Sequence, residues 1–119
     1  MNIDYEISKN VCFETYKITM KINDNNIMYN LSFNLNFSIF LELNKFVEVL
    51  KRNECCKLSL DYNLNMIFNN QTRIFSIIYF NSEICFNNIM MIITLLENII
   101  KDIVKKENEC DKMIEEKYI

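Results

Sequence analysis

The order of apolar and polar positions along the chain changes period three times, from strand to helix, back to strand and to helix again. Tyr16, Ile18, Met20 and Ile22 alternate with Lys17, Thr19 and Lys21, which predicts a half-buried strand. Asp24-Asn25-Asn26 follows, residues that tolerate positive φ and so make a turn where glycine is unavailable. Alternation then resumes, with Ile27, Tyr29, Leu31, Phe33 and Leu35 inward and Asn30, Ser32, Asn34 and Asn36 outward. Together these segments predict a β-hairpin.

From Ile39 the period lengthens. Ile39, Phe40, Leu43, Phe46, Val47 and Leu50 recur three and four apart, the apolar stripe of a helix over 37–52. Asn36 or Ser38 caps it, Lys51-Arg52 suits the negative end of its dipole, and Asn53 is its stop. A second alternating run predicts one strand with Leu58, Leu60, Tyr62, Leu64 and Met66 inward and Lys57, Ser59, Asp61, Asn63 and Asn65 outward. Asn69-Asn70-Gln71 turns the chain into a strand over 73–80 that is apolar on both faces, and therefore central or partly covered. A short strand over 83–86 follows. Asn87 or Asn88 caps a long helix over 87–117, with Ile89, Ile92, Ile93, Leu96, Ile99, Ile100 and Ile103 as its stripe and Met90, Met91 and Leu95 widening it. Continuous, it would run roughly 46 Å at 1.5 Å per residue. That is longer than one small sheet covers, so the charged stretch 106–119 is expected to fray or to pack on a partner.

These elements predict an α+β fold: one antiparallel sheet of four to six strands with two helices on one face, in the order β-β-α-β-β-(β)-α. A strand–turn–strand–helix plan occurs twice, over 14–52 and 57–109, as a weak internal duplication of pattern. The 119 residues form one domain, since two cores would each be too small. In topology alone the duplicated plan resembles small-sheet folds that include the single-strand-binding whirly and PUR groups; no residue motif carries that likeness.

Composition narrows the chemistry. Half the residues are hydrophobic and 24% charged, but glycine, proline, histidine, tryptophan and alanine are all absent. Without glycine there is no P-loop, dinucleotide fingerprint or nucleophile elbow. Without histidine there is no Ser-His or Cys-His pair and no imidazole metal ligand. A non-enzymatic protein without cofactor is expected. The 19 asparagines and 19 isoleucines against two arginines indicate an AT-rich genome, of which a phage or mobile element is one source.

Net charge is −3, and no segment has the positive excess that counterion-releasing DNA binders use. Five cysteines, Cys12, Cys55, Cys56, Cys85 and Cys110, lack metal-binding spacing. They are read as reduced thiols, with Cys12 and Cys85 in the core. No metal is expected. The polar, acidic N-terminus is no signal peptide, and the most apolar stretch, Ile89 to Leu96, is too short to span a bilayer. A cytoplasmic protein without membrane contact is expected.

Three surfaces remain as candidates. The outer sheet face offers Lys17, Lys21, Asn30, Asn34, Lys57, Asn63 and Arg73, with Phe75 and Tyr79 from the doubly apolar strand, for a protein partner. The apolar surplus of Phe75, Ile77, Tyr79, Met90, Met91 and Leu95 predicts a homodimer, with Met91, Leu95, Ile99 and Ile103 as its helical contacts. The C-terminal stretch nearly continues a heptad seam through Ile99, Ile103, Cys110 and Met113, broken at Lys106. The leading expectation is a module that binds a protein by stoichiometric surface occupation. A concrete form is a phage or mobile-element inhibitor of a bacterial defence complex, of the anti-CRISPR type. The alternative, less favoured, is a single-stranded nucleic-acid binder on the outer sheet face. There Lys17, Lys21, Lys57 and Arg73 would meet phosphates, but Tyr16, Tyr29, Phe33 and Tyr62 point inward, leaving only Phe75 or Tyr79 to stack bases.

Overall fold

The computed structural model describes residues 2–10 and 14–118, with side chains over 2–10 and 14–109. The elements run β1 (Asn2–Asn10), β2 (Thr15–Asp24), β3 (Ile27–Leu35), α1 (Phe37–Lys51), β4 (Cys56–Asp61), β5 (Leu64–Asn69), β6 (Ile74–Tyr79), β7 (Ser82–Phe86) and α2 (Ile89–Tyr118). The α+β class holds, but the strands form two antiparallel sheets, β1-β2-β3 and β4-β5-β6-β7, rather than one. Where β3 and β4 approach each other the sheets do not join. Period two fixes which residues face inward; it says nothing about which strand edges pair, so it could not separate one sheet from two.

Two strands differ from the sequence expectation. β1 was not anticipated: Ile3, Tyr5, Ile7 and Lys9 face inward but are only half-buried, as on an edge strand, and a lysine among them weakens the apolar signal. The expected strand through 58–66 is a hairpin, β4 and β5, turning at Tyr62-Asn63. A register shift between Ser59 and Asp61 keeps Leu60 and Leu64 both inward, so the alternation passes through the turn unbroken. Tyr62 is consequently fully exposed, not inward. The Asp61 carboxylate accepts from the Tyr62 amide at 2.5 Å, and the Phe80 amide donates to the Asn63 carbonyl at 2.8 Å.

The turns show how a chain without glycine reverses direction. Asn25, Asn26 and Asn53 take positive φ, as their positions predicted. Arg73 and Phe80 do so too, at φ 59° and 54°, a cost of about 1–2 kcal/mol for a residue carrying Cβ. Asn69 Oδ1 accepts from the Gln71 amide at 2.9 Å, closing the β5–β6 turn. Asn36 caps α1 through the Ile39 amide at 2.8 Å, and Asn88 caps α2 through the Met91 amide at 3.2 Å.

One cluster of buried side chains draws on both sheets and both helices. Ile18, Met20, Ile22, Leu31 and Phe33 come from the first sheet, and Met66, Phe68, Phe75 and Ile77 from the second. Leu43, Phe46, Val47 and Leu50 of α1 and Ile92, Leu96, Ile99 and Ile103 of α2 complete it. The central position of β6 agrees with its sequence, but its parity does not: Phe75 and Ile77, expected at the surface, are 0% and 1% exposed. With apolar residues on both faces, parity is set by register, and Phe75 pairs with Phe68 on the buried face of β5. The Phe75 ring sits 6.2 Å from both Phe46 and Phe86, joining α1 to β7. No helix among the described residues is long and apolar enough to cross a membrane.

Phe75→Ala removes the ring that three elements share and is expected to lower stability by about 3–5 kcal/mol in urea unfolding, whereas Tyr62→Ala shifts it by less than about 0.5 kcal/mol. Comparable effects of the two would contradict the assigned registers.

Candidate functional site

The nine expected partner-binding residues do not converge. Lys17, Lys21, Asn30 and Asn34 lie on the outer face of the first sheet, in cross-strand rows Ser8–Lys17–Asn34 and Asp4–Lys21–Asn30. Lys57 is on the outer face of the second sheet, Asn63 in the β4–β5 turn and Arg73 in the β5–β6 turn. Phe75 is core, and Tyr79 is half-buried on the inner face against the Phe80 ring at 4.6 Å. Of the expected dimer contacts, Ile99 and Ile103 are 0% and 4% exposed and belong to the protein's own core cluster. Met91 and Leu95 are half-buried against that core.

The unforeseen strand β1 changes the electrostatics of the polar face. Asp4 and Glu6 stand in the rows of Lys21 and Thr19, so acidic and basic groups balance there. The aromatic side chains of this sheet, Tyr5, Tyr16, Tyr29 and Phe33, all face inward. The outer face therefore lacks both the phosphate-neutralising charge and the stacking platforms of a single-strand binder.

A site not foreseen from the sequence lies where the start of α1 meets the second half of α2. Leu35, Phe37, Phe40, Ile103 and Val104 form apolar walls, and Lys9, Glu14, Asn36, Glu107 and Asn108 a polar rim, around a groove of about 430 Å³. The buried stripe of α1 runs through Leu43, Phe46, Val47 and Leu50, so Phe37, in the first turn, extends past the core and is 72% exposed. Val104 follows the buried Ile103 and is 46% exposed. The sequence signal for both was an apolar residue lying just off the helical stripe.

One rim of the groove is pinned by charge. Glu107 accepts from Lys9 Nζ at 2.8 Å and from the Tyr16 hydroxyl, while the Lys9 ammonium stands 5.5 Å from the Tyr16 ring centre. Asp102, a turn and a half earlier on α2, accepts from the Tyr5 hydroxyl at 2.5 Å. Burial, then the carboxylate each one touches, pushes both tyrosines up to about 12. Glu107 is held below the usual carboxylate range by the Lys9 and Tyr16 hydrogen bonds. These protonation states suit a fixed clasp between α2 and the first sheet, not proton transfer at neutral pH.

Of the described thiols, Cys55 and Cys56 adjoin at the start of β4 and Cys85 lies on β7. Cys85, expected in the core, is exposed on the outer face of β7, its Sγ 3.6 Å from Ser76 Oγ. Cys55 is exposed, donates to Asn70 Oδ1 at 3.0 Å and accepts from the Asn70 amide at 3.3 Å. Burial, with Cys55 and Glu54 nearby, pushes the Cys56 thiol up to about 11 and keeps it protonated. Cys12 and Cys110 lie outside the residues whose side chains are described. Among the described residues no three Cys, Asp or Glu side chains converge as a metal would require. Set against known protein families, curated proteins and solved structures, the chain matches none.

Because folding raises both tyrosine pKa values, their contribution to stability is complete below pH 10.0, the ordinary tyrosine value, and is lost as pH rises through about 12. Urea midpoints measured across that alkaline range are expected to fall less steeply for the double variant Tyr5→Phe, Tyr16→Phe than for the parent chain. Parallel slopes would show that the clasp does not hold α2.

Proposed function

We propose that this protein is a non-enzymatic binding module that occupies a protein partner's surface stoichiometrically, with the α1–α2 groove receiving an aliphatic or aromatic side chain of that partner. The observation that carries the reading is Phe37, a large aromatic side chain left 72% exposed beside an apolar-walled, polar-rimmed groove. An apolar centre inside a polar margin is the anatomy of a protein–protein contact. The volume suits one or two side chains. Lys9 and Glu107 already satisfy each other on the rim, so selectivity rests on shape and apolar area more than on the partner's charge. The balanced, aromatic-free outer face of the first sheet weighs against the nucleic-acid alternative. A mobile-element inhibitor of a bacterial defence complex is one role of this kind. Composition alone motivates that setting; the groove specifies only the class of side chain it takes.

Peptides selected from a random library on the immobilised protein test the reading. They are expected to share a large apolar residue, to shift the amide resonances of residues 36–41 and 103–108, and to bind about tenfold or more weakly to Phe37→Ser or Val104→Lys. Selected peptides that perturb only the sheet faces would refute it. So would tight binding of single-stranded DNA or RNA at about 50 mM salt that collapses by about 200 mM.

A further inference from the structure

β1 ends the first sheet and leaves one side of its backbone without a strand. It pairs with β2 along all nine residues, from Asn2↔Asn23 to Asn10↔Thr15, with no bulge. Among the described residues no other strand pairs with it. The edge strands β3 and β4 lie beside each other, and the remaining edge strand, β7, has five residues. A long, unbulged edge presents a row of amides and carbonyls that templates a further strand. Beneath this edge the apolar layer is unfinished. The inner row of β2, Ile18, Met20 and Ile22, is fully buried, but Ile3, Tyr5 and Ile7 of β1 are half-buried. There a groove of about 440 Å³ runs between Tyr5-Glu6-Ile7 on one side and Asp102, Lys105, Lys106 and Glu109 of α2 on the other.

We infer that this edge receives an extended segment of a protein partner, added to the first sheet as a fourth strand between β1 and α2, with apolar side chains inward and basic side chains outward. Main-chain hydrogen bonds to β1 hold such a segment, and its alternating side chains give it selectivity. The inward side chains enter the groove and cover Tyr5 and Ile7. The far wall sets Asp102 and Glu109 against Lys105 and Lys106, so it favours neither sign of charge there. The outward side chains stand beside Asp4 and Glu6, which enter no ion pair among the described residues. The lysines of that face, Lys17 and Lys21, are one strand further in, on β2. A fourth strand lies about 4.8 Å from β1 and about 9.6 Å from β2, so the two carboxylates decide the charge it meets. The face is balanced as a whole, but its edge is acidic. The β1 of a second copy supplies no cation to that face in any register, because its one basic residue, Lys9, faces inward and is held by Glu107.

The wall is in place before a segment arrives, since Asp102 already holds the Tyr5 hydroxyl at 2.5 Å. None of these residues lines the α1–α2 groove, and the two contacts stand or fall separately.

The test is a titration of the full chain, followed by amide resonances, with a capped heptapeptide, Thr-Val-Lys-Val-Lys-Val-Thr, up to about 2 mM. Its two lysines have the spacing of Asp4 and Glu6. Saturable shifts of residues 3–8 and 102–109 are expected, with residues 36–41 unmoved. Replacing both peptide lysines by glutamate should weaken binding about fivefold or more, and the protein variant Asp4→Lys, Glu6→Lys should reverse that preference. An added strand turns alternate amides toward β1. N-methylation of the peptide's valines and N-methylation of its lysines should therefore differ, one abolishing binding and the other leaving it within about threefold. No shift at about 2 mM, shifts confined to residues 36–41, equal affinity for the two charge forms, or equal effects of the two N-methylations would overturn the inference. So would concentration-dependent shifts of residues 3–8 without peptide, which would give the edge to a second copy.

Discussion

Two sheets with apolar inner faces have only two helices to bury them, and the rest of the structure depends on that shared cover. α1 lies against β3 of the first sheet and β4 of the second, and α2 packs on α1 and on β1. The thirty residues of α2 run about 45 Å, and Ile92, Ile93, Leu96, Ile99 and Ile103 are buried along one stripe. Tyr5 and Tyr16, on strands of the first sheet, take the carboxylates of Asp102 and Glu107, while Lys51 at the end of α1 reaches Glu97 at 3.2 Å. The helix is thus tied to α1 at the middle of its buried stripe and to the first sheet at the stripe's C-terminal end. Since its stripe is committed within the chain, any partner meets what remains: helix flanks such as Phe37 and Val104, and the outer faces and edges of the sheets.

The composition shapes this as strongly as the apolar pattern does. Without glycine, the left-handed positions among the described residues fall to Asn25, Asn26 and Asn53 and, at greater cost, to Glu14, Arg73 and Phe80. Asparagine side chains also cap both helices and close the β5–β6 turn, so the abundance of asparagine that follows from codon bias does structural work at identifiable sites. Without histidine, the titratable groups seen in close contact at the groove, among the described residues, are a lysine, a tyrosine and a carboxylate that hold one another in place.

Much of the fold was legible. The β2–β3 hairpin, both helices with their caps, the turn at 69–71 and the central place of β6 all follow from periodicity and turn chemistry. What periodicity omits is pairing. Nothing in an alternating pattern states that β3 and β4 belong to different sheets, and a register shift at Ser59–Asp61 concealed the turn at Tyr62 by preserving parity. β1 was hidden because an edge strand needs few apolar residues, and missing it removed Asp4 and Glu6 from the charge balance of the polar face. The candidate site was least legible. The groove joins Lys9, Phe37 and Glu107, which are brought together by packing and not by any local motif. On β6 the expected parity assigned the surface to Phe75, Ile77 and Tyr79, whereas Ile74 and Ile78 face outward.

Native-state hydrogen exchange tests the shared core most directly. If the two sheets depend on the same helices, the slowest amides of β2 and of β6 open with the same free energy and the same denaturant slope, both equal to those of global unfolding. Amides of β2 that open at a distinctly lower free energy than those of β6, with a shallower slope, would show two separately stable layers and contradict the account.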